Sequence, residues 1–277
     1  MGATKRKTVV MWSRILTVLI MLFYALPIVW MYLSAMRTDP DFLARPLGIP
    51  KALNFENFVT AYRMADMTRH FLVSILVTAV GTIIVLFAAS LAAFSFSRLR
   101  YRGRDTLFAL FFLGLILPVQ SFIVGLFVLF RSIGWLNTIA AMVIPTAGMG
   151  IPIAIVIMKY YFDALPSSLE ESAYIDGAGT FLVYRAIVLP ISTAIIMTVA
   201  IFTAINIWNE FLIPFVMVQS ERIRPLTTSL YVFSTRHSAR ITLQMAALSI
   251  IVTPMFLLYA VFQKQVQRGI TAGALKE

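Results

Sequence analysis

The side chains that could do chemistry fall into three small groups. Glu170, Glu171 and Asp176 lie in a polar stretch, PSSLEESAYIDGAGTFLVYRAIVLP, running from Pro166 to Pro190. Asn206, Asn209 and Glu210 sit close together near the end of a later apolar run, and Gln120 and Gln244 are isolated in two others. Arg222, Arg224, Arg236 and Arg240 crowd one loop against a single carboxylate, Glu221. The chemistry open to these groups is recognition rather than bond making. Cysteine is absent, which removes disulfides, thiol nucleophiles and thiolate metal ligands. The two histidines, His70 and His237, lie near span ends, outside any H-E-x-x-H arrangement. No G-x-x-x-x-G-K-[ST] phosphate loop occurs, and Gly177-Ala178-Gly179 has neither a following lysine nor a preceding strand. The chain is therefore expected to be no enzyme and to hold no cofactor or metal of its own.

The elements that must position these groups are membrane spans. Sixty per cent of residues are hydrophobic and 13% charged, against roughly 25% charged in soluble domains. A transmembrane helix needs about 20 apolar residues. Six segments qualify, roughly 12–34, 71–97, 106–130, 139–161, 191–217 and 241–262. The predicted fold class is an all-α membrane protein of six transmembrane helices, with residues 1–277 as one domain. The first apolar segment is too long for a signal peptide core and lacks a clear small-residue cleavage site, so it is expected to stay.

Six spans place both termini on one side, and short-loop Lys and Arg assign that side to the cytoplasm. Lys5, Arg6, Lys7 and Arg14 precede or open the first span, Arg98, Arg100, Arg102 and Arg104 crowd the second loop, and Lys264, Arg268 and Lys276 follow the last. The loop 163–190 is then cytoplasmic. The loop 219–240, predicted to face outward, breaks the rule with its four arginines. The net charge of +11 is mostly loop charge that meets anionic lipid headgroups. No groove-reading module accompanies it, so no nucleic-acid partner is expected.

Within 163–190, Ser167 is placed as an N-cap with Glu170 three residues on, a capping box. Glu170 and Glu171 fall in a first turn that favours negative charge. Gly177 and Gly179 can end the helix in a left-handed conformation, and Thr180 can cap a second short helix. Leu169, Ala173, Ile175 and Ala178 offer small or apolar contacts. A surface helix resting on headgroups is the alternative reading of this segment.

Pro118 with Gln120 falls near the middle of the third span, and Pro145, Gly148, Gly150 and Pro152 are expected to interrupt the fourth. A carboxylate within a span is costly unless it faces protein or water. Broken helices at membrane depth are tolerated where they line a cavity. Gln120, Asn206, Asn209, Glu210 and Gln244 are accordingly the candidate wall of a polar pathway. Alternatively, Glu210 pairs at the outer interface with an arginine of loop 219–240. In the second span the spacings Ala88/Ala92 and Ala89/Ala93 make small-residue packing faces. The outer loop 35–69 should be extended through Pro40, Pro46 and Pro50, then helical from Asn54 to Arg69.

Glu170-Glu171-Ser172-Ala173, Asp176-Gly177-Ala178 and Ile187-Val188-Leu189-Pro190 together resemble the coupling ("EAA") loop of bacterial ABC importer permeases, in the version of the carbohydrate-uptake, maltose-type branch. Ser172 stands where an alanine is usual. Trp208-Asn209-Glu210-Phe211, the end Gly269-Ile270-Thr271-Ala272-Gly273-Ala274 and Asn54-Phe55-Glu56-Asn57-Phe58 are also similar to family sequences. The resemblance implies that Glu170, Glu171, Ala173, Asp176, Gly177, Ala178, Leu189 and Pro190 dock into a groove on a separate ATPase subunit. It implies two ATPase subunits carrying ATP and Mg²⁺, a second homologous permease, an extracytoplasmic solute-binding protein that meets Arg222, Arg224, Arg236 and Arg240, and a carbohydrate or polyol substrate. The multi-pass chain would sit in the cytoplasmic membrane. Lipid phosphate is the alternative partner of those arginines. A self-contained secondary transporter or channel is the rival function.

Overall fold

The structure, a computed structural model, describes residues 3–230, 233 and 240–274, with side chains for 10–230, 233 and 240–264. Every regular element among them is helical: α1 (Ala3–Ala35), α2 (Asp39–Ala44), α3 (Glu56–Met64), α4 (Met67–Arg98), α5 (Arg104–Ile116), α6 (Ile123–Ser132), α7 (Ile139–Asp163), α8 (Ser168–Ile175), α9 (Thr180–Val183), α10 (Leu189–Ile191), α11 (Thr193–Asn209), α12 (Leu212–Met217), α13 (Leu226–Ser229) and α14 (Ile241–Ala274). Two compact units arise, one from the chain up to Met67 with Ser229–Pro254, the other from Thr68–Thr228 with the chain from Met255 onward.

Four helices are long and apolar enough to cross a membrane: Val10–Ala35, Met67–Arg98, Ile139–Asp163 and Ile241–Lys264. They match the first, second, fourth and sixth predicted spans. The third and fifth differ, each comprising two helices rather than one. The third breaks between α5 and α6. Leu117 is extended (φ −77°, ψ 115°) because Pro118 disfavours helical geometry in the residue before it, and a 3₁₀ turn, Val119–Ser121, follows. The fifth breaks at Glu210 (φ −65°, ψ 124°), after which α12 begins. Counting the bent pair Thr180–Ile191 and Thr193–Asn209, which meet at 78°, as one span gives five.

The fourth span corrects its expectation in the other direction. Pro145 and Pro152 both lie inside α7, which continues through them. The helix is packed along its length, with Ala141, Met142, Ala147, Ala154, Ile155, Met158 and Phe162 buried, so tertiary contacts hold what two prolines weaken. The Thr146 hydroxyl donates back to the Met142 carbonyl at 2.6 Å. Ala89 and Ala93 are fully buried in the core around α4, α7 and α11, so that small-residue face packs within the chain.

In the first unit the loop after α1 is not extended as expected. Pro40 stands in the first turn of α2, where its missing N–H costs nothing. The loop is organised by Arg37, whose side chain is fully buried. Its guanidinium donates to Asp41 Oδ2 (2.8 Å), the Asp41 carbonyl (2.6 Å) and the Gly48 carbonyl (2.9 Å). Arg45 also reaches Asp41, at 2.6 Å. The hydrogen bond from Arg45, then that from Arg37, holds the Asp41 carboxyl below its usual range. The helical second half of the loop is present as α3.

Candidate functional site

The stretch 163–190 folds as a short helix, a turn and a second helical piece, but its caps are not those expected. Ser167 is itself helical (φ −63°, ψ −26°) and its side chain makes no capping bond. The other half of the capping box is occupied elsewhere. The Glu170 Oε1 accepts from Arg98 Nε at 2.7 Å, with the two side chains only 7% and 15% exposed. Thr180 is likewise not a cap, since Gly179 holds that position in extended geometry (φ −72°, ψ 157°).

The C-terminal stop does form. Gly177 adopts φ +80°, its N–H donates to the Tyr174 carbonyl (3.1 Å), and the Ala178 N–H donates to the Ala173 carbonyl (2.9 Å). These two bonds make a Schellman motif, in which glycine accepts the left-handed conformation without the strain a Cβ would bring. A π-turn, Tyr184–Val188, then runs into α10. Pro190 lacks the N–H that would bond back to Ala186, which loosens the regular ladder there.

The predicted coupling residues divide into two faces. Ala173, Ala178 and Leu189 pack inward against the buried core of Phe94, Phe162, Val183 and Tyr184, where the Tyr184 hydroxyl meets Ser90 Oγ at 2.8 Å. Glu170 also points inward. Glu171, Asp176, Gly177 and Pro190 are exposed. Beside them Ile175, at the end of the polar helix α8, is 86% exposed, and Phe181, on α9, is 66% exposed.

The in-span polar residues also separate. A cavity of ≈450 Å³ lies between α7 and α11, and its lining includes Thr146, Thr203, Asn206 and Glu210 beside Met149 and Phe202. Asn206 and Glu210 are thus brought together. Glu210 sits where α11 ends and caps the next helix: its Oε1 accepts the Ile213 N–H at 3.0 Å, and its carbonyl accepts from the Thr227 hydroxyl at 3.0 Å. Among the described residues Glu210 makes no ion pair, so the alternative pairing with an arginine of loop 219–240 is not seen there. Asn209 is exposed just outside the cavity lining. Gln120 is exposed at the α5–α6 break. Gln244 belongs to the other unit, where its Nε2 donates to the Phe233 carbonyl.

Of the four loop arginines, Arg222 and Arg240 are exposed, and Arg224 donates to the Gln219 carbonyl at 3.0 Å. Arg236 lies outside the described residues. His70 is buried and bonds to the Glu221 carbonyl at 2.9 Å. Three organising residues escaped the sequence reading. Arg98 counted there only as span-flanking charge, and Arg37 was not singled out. Asn137, at φ +59°, takes the Gln219 and Ser220 N–H groups on its Oδ1 (2.6 and 3.0 Å) and ties the start of α7 to the end of α12. Its signal was an asparagine in a turn, a residue type that tolerates left-handed backbone.

Residues 84–272 match the family described as "Binding-protein-dependent transport system inner membrane component". The chain belongs to that family. Among curated relatives, the trehalose/maltose transport system permease protein MalG of Thermococcus litoralis is 34% identical, over 95% of this chain and 94% of that protein. The probable ABC transporter permease protein YurM of Bacillus subtilis is 32% identical, over 91% and 84%. The diacetylchitobiose uptake system permease protein NgcG of Streptomyces coelicolor is 27% identical, over 99% and 89%. A chain of a bacterial ABC transporter involved in the import of the acidic polysaccharide alginate has the same fold, with a TM-score of 0.74 at 19% identity over 95% of this permease and 98% of that chain. The inner-membrane permease is therefore a transport component rather than an enzyme.

Proposed function

We propose that this permease forms half of a translocation pathway for a neutral oligosaccharide or polyol in a binding-protein-dependent ABC importer. The other parts would be a second permease, two ATPase subunits that hold ATP and Mg²⁺, and an external solute-binding protein. Relatives named for maltose, trehalose and diacetylchitobiose transport support the carbohydrate reading. Six crossings follow if α5–α6 and α11–α12 each traverse the bilayer with a break, and six crossings put both termini with loop 163–190 on the cytoplasmic side.

The observation that carries the coupling reading is the outer face of α8 and α9. Glu171 and Asp176 flank the exposed Ile175, and the Schellman turn at Gly177 gives that face a fixed shape. An apolar centre rimmed by charge suits a protein groove. The alternative, a helix resting on headgroups, would set two carboxylates against anionic lipid. The α7–α11 cavity is the candidate pathway wall. Its one charged lining side chain, Glu210, favours uncharged solutes over anionic ones.

The test is reconstitution. Vesicles holding the complete complex should take up radiolabelled maltose, or another sugar found to bind the external protein, only with ATP. Uptake by vesicles holding this chain alone, without ATP, would favour the secondary transporter or channel.

A further inference from the structure

We propose that Arg98 is the positioning residue that passes movement of α8 into α4 and α7; this rests on the coupling reading above. Arg98 is the last residue of α4. Its Nε holds Glu170 Oε1 at 2.7 Å, its Nη2 donates to the Leu165 carbonyl at 3.1 Å, and its Nη1 reaches Ser97 Oγ at 3.3 Å. Ser97 Oγ donates to Asp163 Oδ1 at 2.6 Å, and Asp163 Oδ2 takes Lys159 Nζ at 2.6 Å. One continuous polar chain thus joins the first turn of α8, the end of α4 and the last turn of α7.

The neighbouring arginines do nothing comparable. Arg104 pairs with Asp105, the next residue, at an exposed site, and Arg100 and Arg102 are exposed. Glu170 and Glu171 are adjacent in sequence yet opposite in role. Glu171 faces outward for a partner, and Glu170 faces inward to Arg98. A shielded ion pair adds little stability over a well-packed apolar pair, but its directional bonds fix the relative placement of the elements it joins. Here the fixed elements are the docking helix and two long apolar helices. A push on α8 therefore reaches α4 through the guanidinium.

The experiment uses the complete complex and a reporter that needs no substrate. Cysteine at exposed Asn209, in a chain with none of its own, is labelled with a polar maleimide with and without ATP. The parent should show an ATP-dependent change in labelling rate. Arg98→Gln and Glu170→Gln should still copurify with the ATPase subunits and hydrolyse ATP, while that change falls by roughly 10-fold, the size expected when contacting partners are uncoupled. The exchange Arg98→Glu with Glu170→Arg should restore much of it. The apolar pair Arg98→Met with Glu170→Leu should assemble normally and stay unresponsive. A full ATP response in either single variant or in the apolar pair overturns the proposal. So does loss of ATPase association in Glu170→Gln with a normal Arg98→Gln, because Glu170 would then touch the ATPase directly. If the parent binds no ATPase subunit, the coupling reading fails and this inference falls with it.

Discussion

Gly177 separates backbone strain from partner contact. At φ +80° any L side chain is strained, yet a Cβ placed there meets no atom within 4 Å. The intramolecular cost of substitution is therefore conformational alone, about 1–2 kcal/mol for a residue forced left-handed, and it is nearly the same for alanine and tryptophan. Asparagine tolerates that region better and costs less. Thermal unfolding of the purified chain should rank Gly177→Asn above Gly177→Ala, with Gly177→Trp equal to alanine. Copurification of ATPase subunits and ATP-driven uptake should instead separate alanine from tryptophan, since only the large ring obstructs an approaching groove. Equal coupling in Gly177→Ala and Gly177→Trp would mean that nothing docks there. An unfolding temperature for Gly177→Trp far below that of Gly177→Ala would contradict the open space around the turn.

Cysteines at Asn206, Asn209 and Glu210 should react with a polar thiol reagent in at least one nucleotide state, because Asn206 and Glu210 line the α7–α11 cavity and Asn209 is exposed beside it; inertness at all three in every state would make the cavity a sealed packing defect. Changing Arg222, Arg224, Arg236 and Arg240 together to Gln should weaken stimulation of ATP hydrolysis by the binding protein and leave the basal rate, mimicking raised salt, since exposed charges are screened over about 8–10 Å; unchanged half-maximal stimulation would assign them to lipid instead. Asp41, whose carboxyl Arg45 and Arg37 hold low, should stabilise the loop after α1 above its ordinary value of 3.8. That contribution should be lost as pH falls through the lowered folded value. Hydrogen exchange of residues 39–48 should show this acid limb, and Asp41→Asn should lack it.

Hydrophobic run length located the long helices of this chain, since burying about 20 apolar residues in lipid overrides most local preferences. Local breaks were read unevenly. Pro118 marked a true break, since it turns Leu117 out of helical geometry and leaves Leu117 and Gln120 exposed on either side. Pro145 and Pro152 did not, because packed neighbours hold α7 through both. Gly177 was legible from type and position, as a left-handed stop needs little beyond a glycine. The pairing of Glu170 was not, because its partner, Arg98, lies 72 residues away. Long-range pairs of that kind leave no periodic trace. Composition could say that Arg98 was charged, not that its guanidinium was paired with a buried carboxylate.

The bend of 78° between Thr180–Ile191 and Thr193–Asn209 makes the first of those helices a lever arm. Ser192 sits fully buried at the corner, and the Thr193 hydroxyl donates across it to the Pro190 carbonyl at 2.6 Å, a bond that stiffens the elbow. At 1.5 Å rise per residue the arm reaches ~18 Å, and a tilt of ~10° about the corner sweeps its far end through ~3 Å. The same tilt, carried rigidly around the corner, swings the Asn209 end of the longer helix by ~4 Å in a direction nearly at right angles to the first. Under the coupling proposal, a displacement of the shorter arm would in that way be turned into a sideways movement of the longer one, with a gear ratio set by where in the sequence the corner falls.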